Sequence, residues 1–513
     1  MSIPPSQRKL ADALSAMKDL QDSGKTVIKS SDLTRIQRES LVRAGFLQLV
    51  VKGWYMPSRP EEHSGVSTLW HASMKDFIRG YCSERFGEDW HVSPEYSLLL
   101  HAGATVLPKQ IVVYGPKGKN GLLSLPEGCS ILDYQSAQLA TGKQIELIDG
   151  IRALPLPVAL ARVPDAFFSS YARDAQIALH RLSDASEINH LLLEGGHSSI
   201  AGRLAGAFRA VGRRKIADEI LATMRVAGYV VNEKNPFTVE PPKLEFSRRQ
   251  SPYVLRMRLM WKDMRESVIS KFPKEPGLPQ DVERFMADIE ERYQTDAYHS
   301  LSIEGYRVTD EIIRKVATGN WSPGDNDSDR QTKDAMTAHG YWLAHNDVKA
   351  TIRTILNGAN PGEAFSVAHG TWYRSLFAPN VDAGFLRLQD LAGYRSGQVF
   401  IRNALHVPPS PEAVRDMIPE LCNLLEKETL AAVRAVLGHF MFVYIHPYFD
   451  GNGRLGRFLM NTMLASGGYP WTVIRLETRG EYMEALEAAS SHGDISKFAE
   501  FIANSMETTG EVK

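Results

Sequence analysis

The sequence predicts a multidomain, mainly α fold: an all-helical core with a β-hairpin flap, preceded by a winged helix-turn-helix and a mixed α/β domain. Three observations carry that prediction. The chain has 513 residues, room for about three domains at ~100–200 residues each. Its first 60 residues read as helices followed by a hairpin, whereas the chain beyond a polar, proline-bearing stretch near 241–252 is helical in pattern to its end. Finally, an apolar run from Ala431 to Ile445 leads through a glycine-rich turn into a second apolar helix, Phe458 to Leu464.

Composition narrows the class. With 43% hydrophobic and 23% charged residues the chain matches ordinary globular proteins, which excludes a disordered tail protein and a collagen-like fibre. Lys+Arg 59 against Asp+Glu 60 leaves a net charge of −1, so any attraction to nucleic acid must be local. Cys82, Cys129 and Cys422 lie far apart, which argues against a paired-thiolate zinc site and a disulfide framework. Met1–Leu10 has no apolar stretch behind Arg8 and Lys9, and Ala431–Ile445 is too short to span a bilayer. The expectation is a reduced, soluble, cytoplasmic protein with no membrane partner.

Residues 1–60 carry ten basic and five acidic side chains, a local charge of +5. Leu10, Leu14, Met17 and Leu20 are spaced for a first helix, Ser31 and Asp32 are placed to cap a short second one, and Ile36, Leu41, Val42 and Phe46 mark a third. A hairpin turning at Lys52-Gly53 follows. That order is a winged helix-turn-helix, with Arg35, Gln37, Arg38 and Arg43 on the third helix and Lys52 on the wing as DNA-contacting candidates. A small unit of this kind can equally serve as a packing module.

Residues 61–240 alternate β-rich runs, such as 110–115 and 130–134, with helical stretches, implying a mixed α/β domain. The helical segment Ser198 to Val231 carries Arg203, Arg209, Arg213, Arg214 and Lys215, a solvated face or a phosphate-contacting one. The arrangement of the first 240 residues resembles the AbiEi-type antitoxin regulators, in the hairpin ending Lys52-Gly53-Trp54-Tyr55 and in Ser93-Pro94-Glu95-Tyr96-Ser97-Leu98-Leu99-Leu100-His101. Residues 241–282 read as a linker and helix, and 283–513 as the helical domain. Asp325, Asp327 and Asp329 have calcium-loop spacing, but Arg330 and Met336 stand where that loop needs glycine and glutamate, so a surface loop is expected.

The chemistry concentrates in His446-Pro447-Tyr448-Phe449-Asp450-Gly451-Asn452-Gly453-Arg454-Leu455-Gly456-Arg457. Pro447 stops one helix, and Gly451-Asn452-Gly453 turns at the start of the next, where backbone N–H groups bind anions. His446 is a base able to accept a hydroxyl proton. Asp450 is a hard oxygen ligand suited to Mg²⁺ carried by phosphates. Arg454 and Arg457, three apart, share a helix face and can clamp phosphate. Together with Asn452 these are the catalytic candidates, and the same turn is the nucleotide-binding candidate.

This segment resembles the signature of the Fic family, His-Pro-Phe-x-(Asp/Glu)-Gly-Asn-Gly-Arg-x-x-Arg, from which only Tyr448 departs. The resemblance extends over about residues 283–505. It implies a protein adenylyltransferase that uses ATP and Mg²⁺ and moves AMP to a Tyr, Ser or Thr hydroxyl of a target protein. It also implies that the hairpin-like Leu391–Ile401, with Tyr394, Arg395, Gly397, Val399 and Ile401, is the flap that pairs with the target. Ser300-Leu301-Ser302-Ile303-Glu304-Gly305 is similar to the family's inhibitory pattern, (Ser/Thr)-x-x-x-Glu-(Gly/Asn), on a helix around 292–305. There Glu304 would pair with Arg457 and withhold it from the γ-phosphate. Asn461 and Tyr482 are where the resemblance implies an adenine contact.

Two other readings share these residues. Glu304 could serve AMP removal, making the protein a de-AMPylating hydrolase. Alternatively, the protein could be a DNA-binding, antitoxin-like regulator whose helical domain senses nucleotide. The implied partners are ATP, a target protein and DNA through residues 1–60, with a second copy of the chain as a further candidate.

Overall fold

A computed structural model describes residues 5–23, 25–58, 66–136, 139–140, 142–242, 251–318, 329–391, 393–401 and 404–510. The chain packs as two compact units, Met1–Pro252 with Phe400–Val407, and Tyr253–Val399 with Pro408–Lys513.

The first unit begins with α1 (Pro5–Asp22), β1 (Ile28–Lys29), α2 (Arg35–Arg43), β2 (Leu47–Val51) and β3 (Trp54–Pro57). The three strands form one antiparallel sheet in the order β1-β3-β2. Ala13, Met17, Ile28, Leu33, Leu41 and Leu47 close a small core beneath it. The expected short second helix is absent. Ser31 and Asp32 lie in a turn, and Asp32 accepts from the Lys29 amide at 2.9 Å and pairs with Lys25, so its carboxylate braces a β-turn instead of capping a helix. Thr34 caps α2, in a reciprocal capping box with Gln37.

There follow α3 (Val66–Phe86), β4 (His91–Val92), α4 (Pro94–His101), β5 (Gln110–Gly115), β6 (Gly121–Ser124), β7 (Ser130–Gln135), β8 (Glu146–Ile148) and β9 (Ile151–Ala153). β4-β5-β7-β6 make a mixed sheet whose central pair, β5 and β7, is parallel. Gly80 lets α3 approach β3, because a Cβ there would stand 2.7 Å from the Trp54 ring. Six helices complete the unit: α5 (Leu156–Arg162), α6 (Ala166–Ser170), α7 (Ala172–Arg181), α8 (Ser186–Glu194), α9 (Ser198–Ala210) and α10 (Arg214–Val226). The expected helical segment from 198 to 231 is two helices, broken at Gly212, whose φ is +86°, and it ends at Val226. Its arginines brace the fold: Arg203 bonds the carbonyls of Leu160 and Ala161, Arg213 those of Leu179, His180 and Ser183, and Arg209 pairs with Glu233 and Asp218.

The second unit is helical: α11 (Pro252–Lys271), α12 (Val282–Ile303), α13 (Asp310–Ala317), α14 (Asp329–Leu356), α15 (Pro361–Asp382), α16 (Pro411–Lys427), α17 (Ala431–Ile445), α18 (Asn452–Ala465), α19 (Arg479–His492) and α20 (Ser496–Gly510). α17 buries every residue but Val443, and α18 every residue but Gly453, so both run through the centre of the bundle, and α18 takes Arg454, Arg457 and Asn461 inside with it. α14 lies close against α15, where a Cβ on Gly340 would meet the Leu376 carbonyl at 2.0 Å. Arg258 with Glu420 and Arg265 with Glu428 tie α11 to α16 and its C-terminus through paired hydrogen bonds. The polar stretch 247–252 falls mostly outside the described residues, as do Asp325 and Asp327, while Asp329 opens α14. Among the described residues no helix is long and apolar enough to cross a membrane. Cys82, Cys129 and Cys422 are buried thiols.

Candidate active site

The site is built on the turn between α17 and α18. α17 ends at His446, whose left-handed backbone (φ +52°) is costly for a residue with a Cβ. That conformation is held from outside the helix. The guanidinium of Arg395 donates to the carbonyls of His446 at 2.8 Å, Ile445 at 3.4 Å, Gly397 at 3.0 Å and Pro409, while its amide donates to Pro447 O at 2.9 Å. The His446 ring is fixed as well. Its Nδ1 lies 3.2 Å from the Val443 carbonyl, which can only accept, so Nδ1 carries the proton and Nε2 keeps a free lone pair. Burial pushes its pKa down to about 4, with the Arg395 charge acting in the same sense, so the imidazole is a neutral base at physiological pH.

The turn is braced by Asn452, which accepts from the Tyr448 amide at 2.9 Å and donates to the Tyr448 carbonyl at 2.8 Å. Tyr448 is buried and stacks on Tyr373 with ring centroids 3.8 Å apart, so the one departure from the signature is absorbed by aromatic packing. Gly451 has φ +79°, and a Cβ there would press on Phe377 at 2.9 Å and Leu376 at 3.0 Å. The first bond of α18 runs from Leu455 N to Gly451 O, which leaves the amides of residues 452–454 at the positive end of the helix.

Two guanidinium groups stand over that end, and they differ. Arg454 is fully buried, sandwiched between Tyr306 (5.2 Å) and Phe377 (5.1 Å), and its three guanidinium nitrogens make no hydrogen bond, although Asp450 Oδ2 lies at 3.4 Å. A buried cation with unspent donors is arranged for an anion. Arg457 is occupied: Nε donates to Ser300 Oγ at 2.9 Å, and Nη2 to Ser300 O at 3.0 Å and Glu304 Oε1 at 2.8 Å. Glu304 caps the C-terminus of α12, and Gly305 (φ +90°) turns the chain away behind it. A Cβ on Gly453 would stand 2.3 Å from Glu304 Oε1, so the carboxylate lies against the amide end of α18 as well as on Arg457.

Asp450 is the one carboxylate of the turn. Its side chain is 60% exposed, Oδ1 accepts from the Gly451 amide at 2.6 Å, and Oδ2 accepts from Tyr306 Oη at 3.3 Å. No group of three or more metal-ligating side chains occurs among the described residues. A single open carboxylate beside an anion hole fits a magnesium ion that arrives on phosphates.

Residues 371–464 match the Fic/DOC family. This part of the chain is similar to Fic domains. The curated relatives include the protein adenylyltransferase Fic of Nematostella vectensis, 29% identical over 267 residues, which cover 50% of this chain and 56% of that protein. The protein adenylyltransferase Fic of Drosophila mojavensis is 37% identical over 234 residues, 43% of this chain and 41% of that one. The chain thus spans about half the length, or less, of these relatives. Among solved structures, Fic-1 from C. elegans is 19% identical, with 66% of this chain and 95% of that one covered and a TM-score of 0.37. A Fic domain containing signaling protein from Bacteroides thetaiotaomicron is also 19% identical, covering 50% and 93%, with a TM-score of 0.34.

The helical unit brings His446, Asp450, Asn452, Arg454, Arg457, Ser300 and Glu304 together. The two adenine candidates are engaged inside the helical unit. Asn461 spends its amide on Thr472 N and O at 2.7 and 3.0 Å, and Tyr482 is buried with its hydroxyl 2.8 Å from His439 Nε2. Both are buried, and the Tyr482 hydroxyl also faces the Arg457 charge. The flap differs from the expected hairpin: residues 393–401 hold no strand. Arg395 turns inward onto backbone carbonyls, and Tyr394 Oη reaches His369 Nε2 at 2.8 Å. Val399 is buried, Gly397 lies near the Phe449 ring, and Ile401 is half-buried. Tyr306 and Phe377, which hold Arg454, carry no motif signal, although an aromatic residue directly after Glu304-Gly305 could have drawn attention.

In the first unit, Gln37 is committed to the capping box and Arg38 donates to Ser30 O at 2.8 Å. Arg35 pairs with Glu39 but remains 82% exposed, and Arg43 and Lys52 are exposed.

Proposed function

We propose that the protein is an autoinhibited protein adenylyltransferase. The observation that carries this reading is the Glu304 carboxylate, which sits on Arg457 and the α18 amide end where a phosphate would sit. His446 Nε2 takes the proton of a target hydroxyl, and that oxygen attacks the α-phosphorus of ATP. The α–β anhydride bond breaks, pyrophosphate leaves, and AMP remains on the target. The amides of residues 452–454 and Arg454 stabilise the charge that develops on phosphate oxygens. Asp450 would hold Mg²⁺, which supplies charge neutralisation on the phosphates. With Glu304 in place, Arg457 is withheld, so nucleotide binds without its full clamp.

The test starts from Glu304→Gly and adds His446→Ala. The reading expects both variants to bind ATP, and only the first to move α-label, never γ-label, onto protein. Equal α-labelling by both would remove the histidine from the reaction. Release of AMP from a pre-modified target by the unaltered protein would favour the hydrolase reading.

A second reading concerns residues 5–58. Exposed Arg35, Arg43 and Lys52 on the helix–hairpin unit support DNA binding, read by phosphate contacts more than by base edges, since Gln37 and Arg38 are engaged internally. A gel shift of the full chain with DNA, compared with the triple alanine variant of these three residues, tests it; equal affinity contradicts it.

A further inference from the structure

Tyr306 is the residue immediately beyond Glu304-Gly305, and it touches two parts of the site at once. Its hydroxyl donates to Asp450 Oδ2 at 3.3 Å, and its ring lies 5.2 Å from the Arg454 guanidinium, opposite Phe377 at 5.1 Å. The left-handed Gly305 aims it there: α12 closes with the Tyr306 amide donating to Leu301 O at 3.2 Å, and the chain then reverses over the turn at 450–454.

The two contacts have opposite consequences. The ring is one jaw of an aromatic sandwich that fixes the plane of Arg454 while leaving its hydrogen-bonding edge unspent. A guanidinium held that way loses little freedom when it meets phosphate. The hydroxyl, by contrast, competes for an oxygen of the only carboxylate in the turn, the oxygen that also faces Arg454 at 3.4 Å. A cation entering on phosphates must share or displace that hydrogen bond.

We propose that Tyr306 is a positioning residue with two separable actions: its ring presents Arg454 to the nucleotide, and its hydroxyl restrains Asp450 from taking the cation. The segment after α12 would then act on the site twice, through Glu304 on Arg457 and through Tyr306 on Asp450. This rests on the nucleotide-binding reading above, and it makes removal of Glu304 alone an incomplete release.

The experiment is calorimetric titration of ATP into the full chain carrying Glu304→Gly, alone or with Tyr306→Phe or Tyr306→Leu, in Mg²⁺ and in EDTA. Tyr306→Phe should tighten ATP about three- to tenfold in Mg²⁺ and leave the EDTA value unchanged, as expected for loss of one competing hydrogen bond. Tyr306→Leu should weaken ATP about three- to thirtyfold in EDTA, from loss of the ring contact. A Phe variant indistinguishable from its parent in Mg²⁺ overturns the hydroxyl's role, and a Leu variant equal to the Phe variant in EDTA overturns the ring's. If the Glu304→Gly parent itself binds no ATP, the nucleotide-binding reading fails, an outcome distinct from either. Thermal unfolding of each variant separates these effects from misfolding.

Discussion

Glu304 and Arg457 lie 153 positions apart in the sequence, yet their side chains meet at 2.8 Å, with Ser300 bonding Nε and Nη2 of the same guanidinium and Nη1 left without a hydrogen bond. The pair joins the end of α12 to the first turns of α18. Burial works against the charge on Arg457, but the adjacent carboxylate prevails and holds the guanidinium above its ordinary range. Under the proposed autoinhibition, taking away the carboxylate would leave Arg457 a buried charge without its anionic partner.

Replacement of His446 should abolish transfer, and the pH profile carries a finer test. Because burial holds its pKa at about 4, the neutral base persists throughout the physiological range and is lost only as pH falls through that value. Single-turnover transfer by Glu304→Gly should therefore be flat from about pH 5.5 to about pH 8. A profile that halves near the ordinary histidine value of about 6.5 would show that the imidazole is not held in this way.

Arg395→Ala should cost about 2–5 kcal/mol of stability and disable the site, since it strips the donor from several backbone carbonyls around His446. Burial already draws the Arg395 pKa down to about 10, so the guanidinium is held at some electrostatic expense. Denaturant unfolding reads the loss. A variant that keeps full stability, with only target labelling reduced, would return Arg395 to a target-contacting role.

Gly451→Ala should destabilise the turn by about 1–3 kcal/mol, combining a positive φ with contacts under 3.1 Å to Phe377 and Leu376. ATP binding should weaken in parallel, because Phe377 also flanks Arg454. Wild-type melting and ATP affinity in this variant would refute the packing argument.

Acid should loosen the helical unit. His345 and His439 are buried with pKa values pushed down to about 3, so the unfolded chain takes up protons near pH 6.5 that the folded one refuses. Stability contributed by each is present above about 6.5 and falls by about 2 kcal/mol per histidine on going from pH 7 to pH 5. Asp296 works the other way: burial raises it to about 6, so the fold gains its proton first on acidification and offsets part of the loss. Urea midpoints at the two pH values should show a net decrease, and removing His345 as His345→Phe should shrink it.

The site was legible in the sequence where chemistry is local. His446, Asp450, Gly451, Gly453, Arg454 and Arg457 stand within twelve positions, and their spacing alone places amides and guanidinium groups at one helix end. Glu304 was reachable only through a resemblance, because no periodicity tells that the residue capping α12 meets α18. Arg395, Asn461 and Tyr482 make contacts that no motif announces, for a common reason. Each is a polar side chain whose hydrogen bonds run to distant backbone or to a buried ring, and burial of that kind is a tertiary property. Asp32 shows the same ambiguity at short range, since an aspartate before a helix-like run can cap a helix or brace a turn.

The measurement that bears most directly on the autoinhibited-transferase account is incorporation of α-labelled ATP into protein, with the unaltered chain and Glu304→Gly assayed side by side on themselves and on a cell lysate. The account predicts weak labelling by the unaltered chain and a rise of about tenfold or more in the variant, with His446→Ala in the same background silent. Equal labelling by the unaltered chain and the variant would contradict it, because Glu304 would then withhold nothing from the nucleotide.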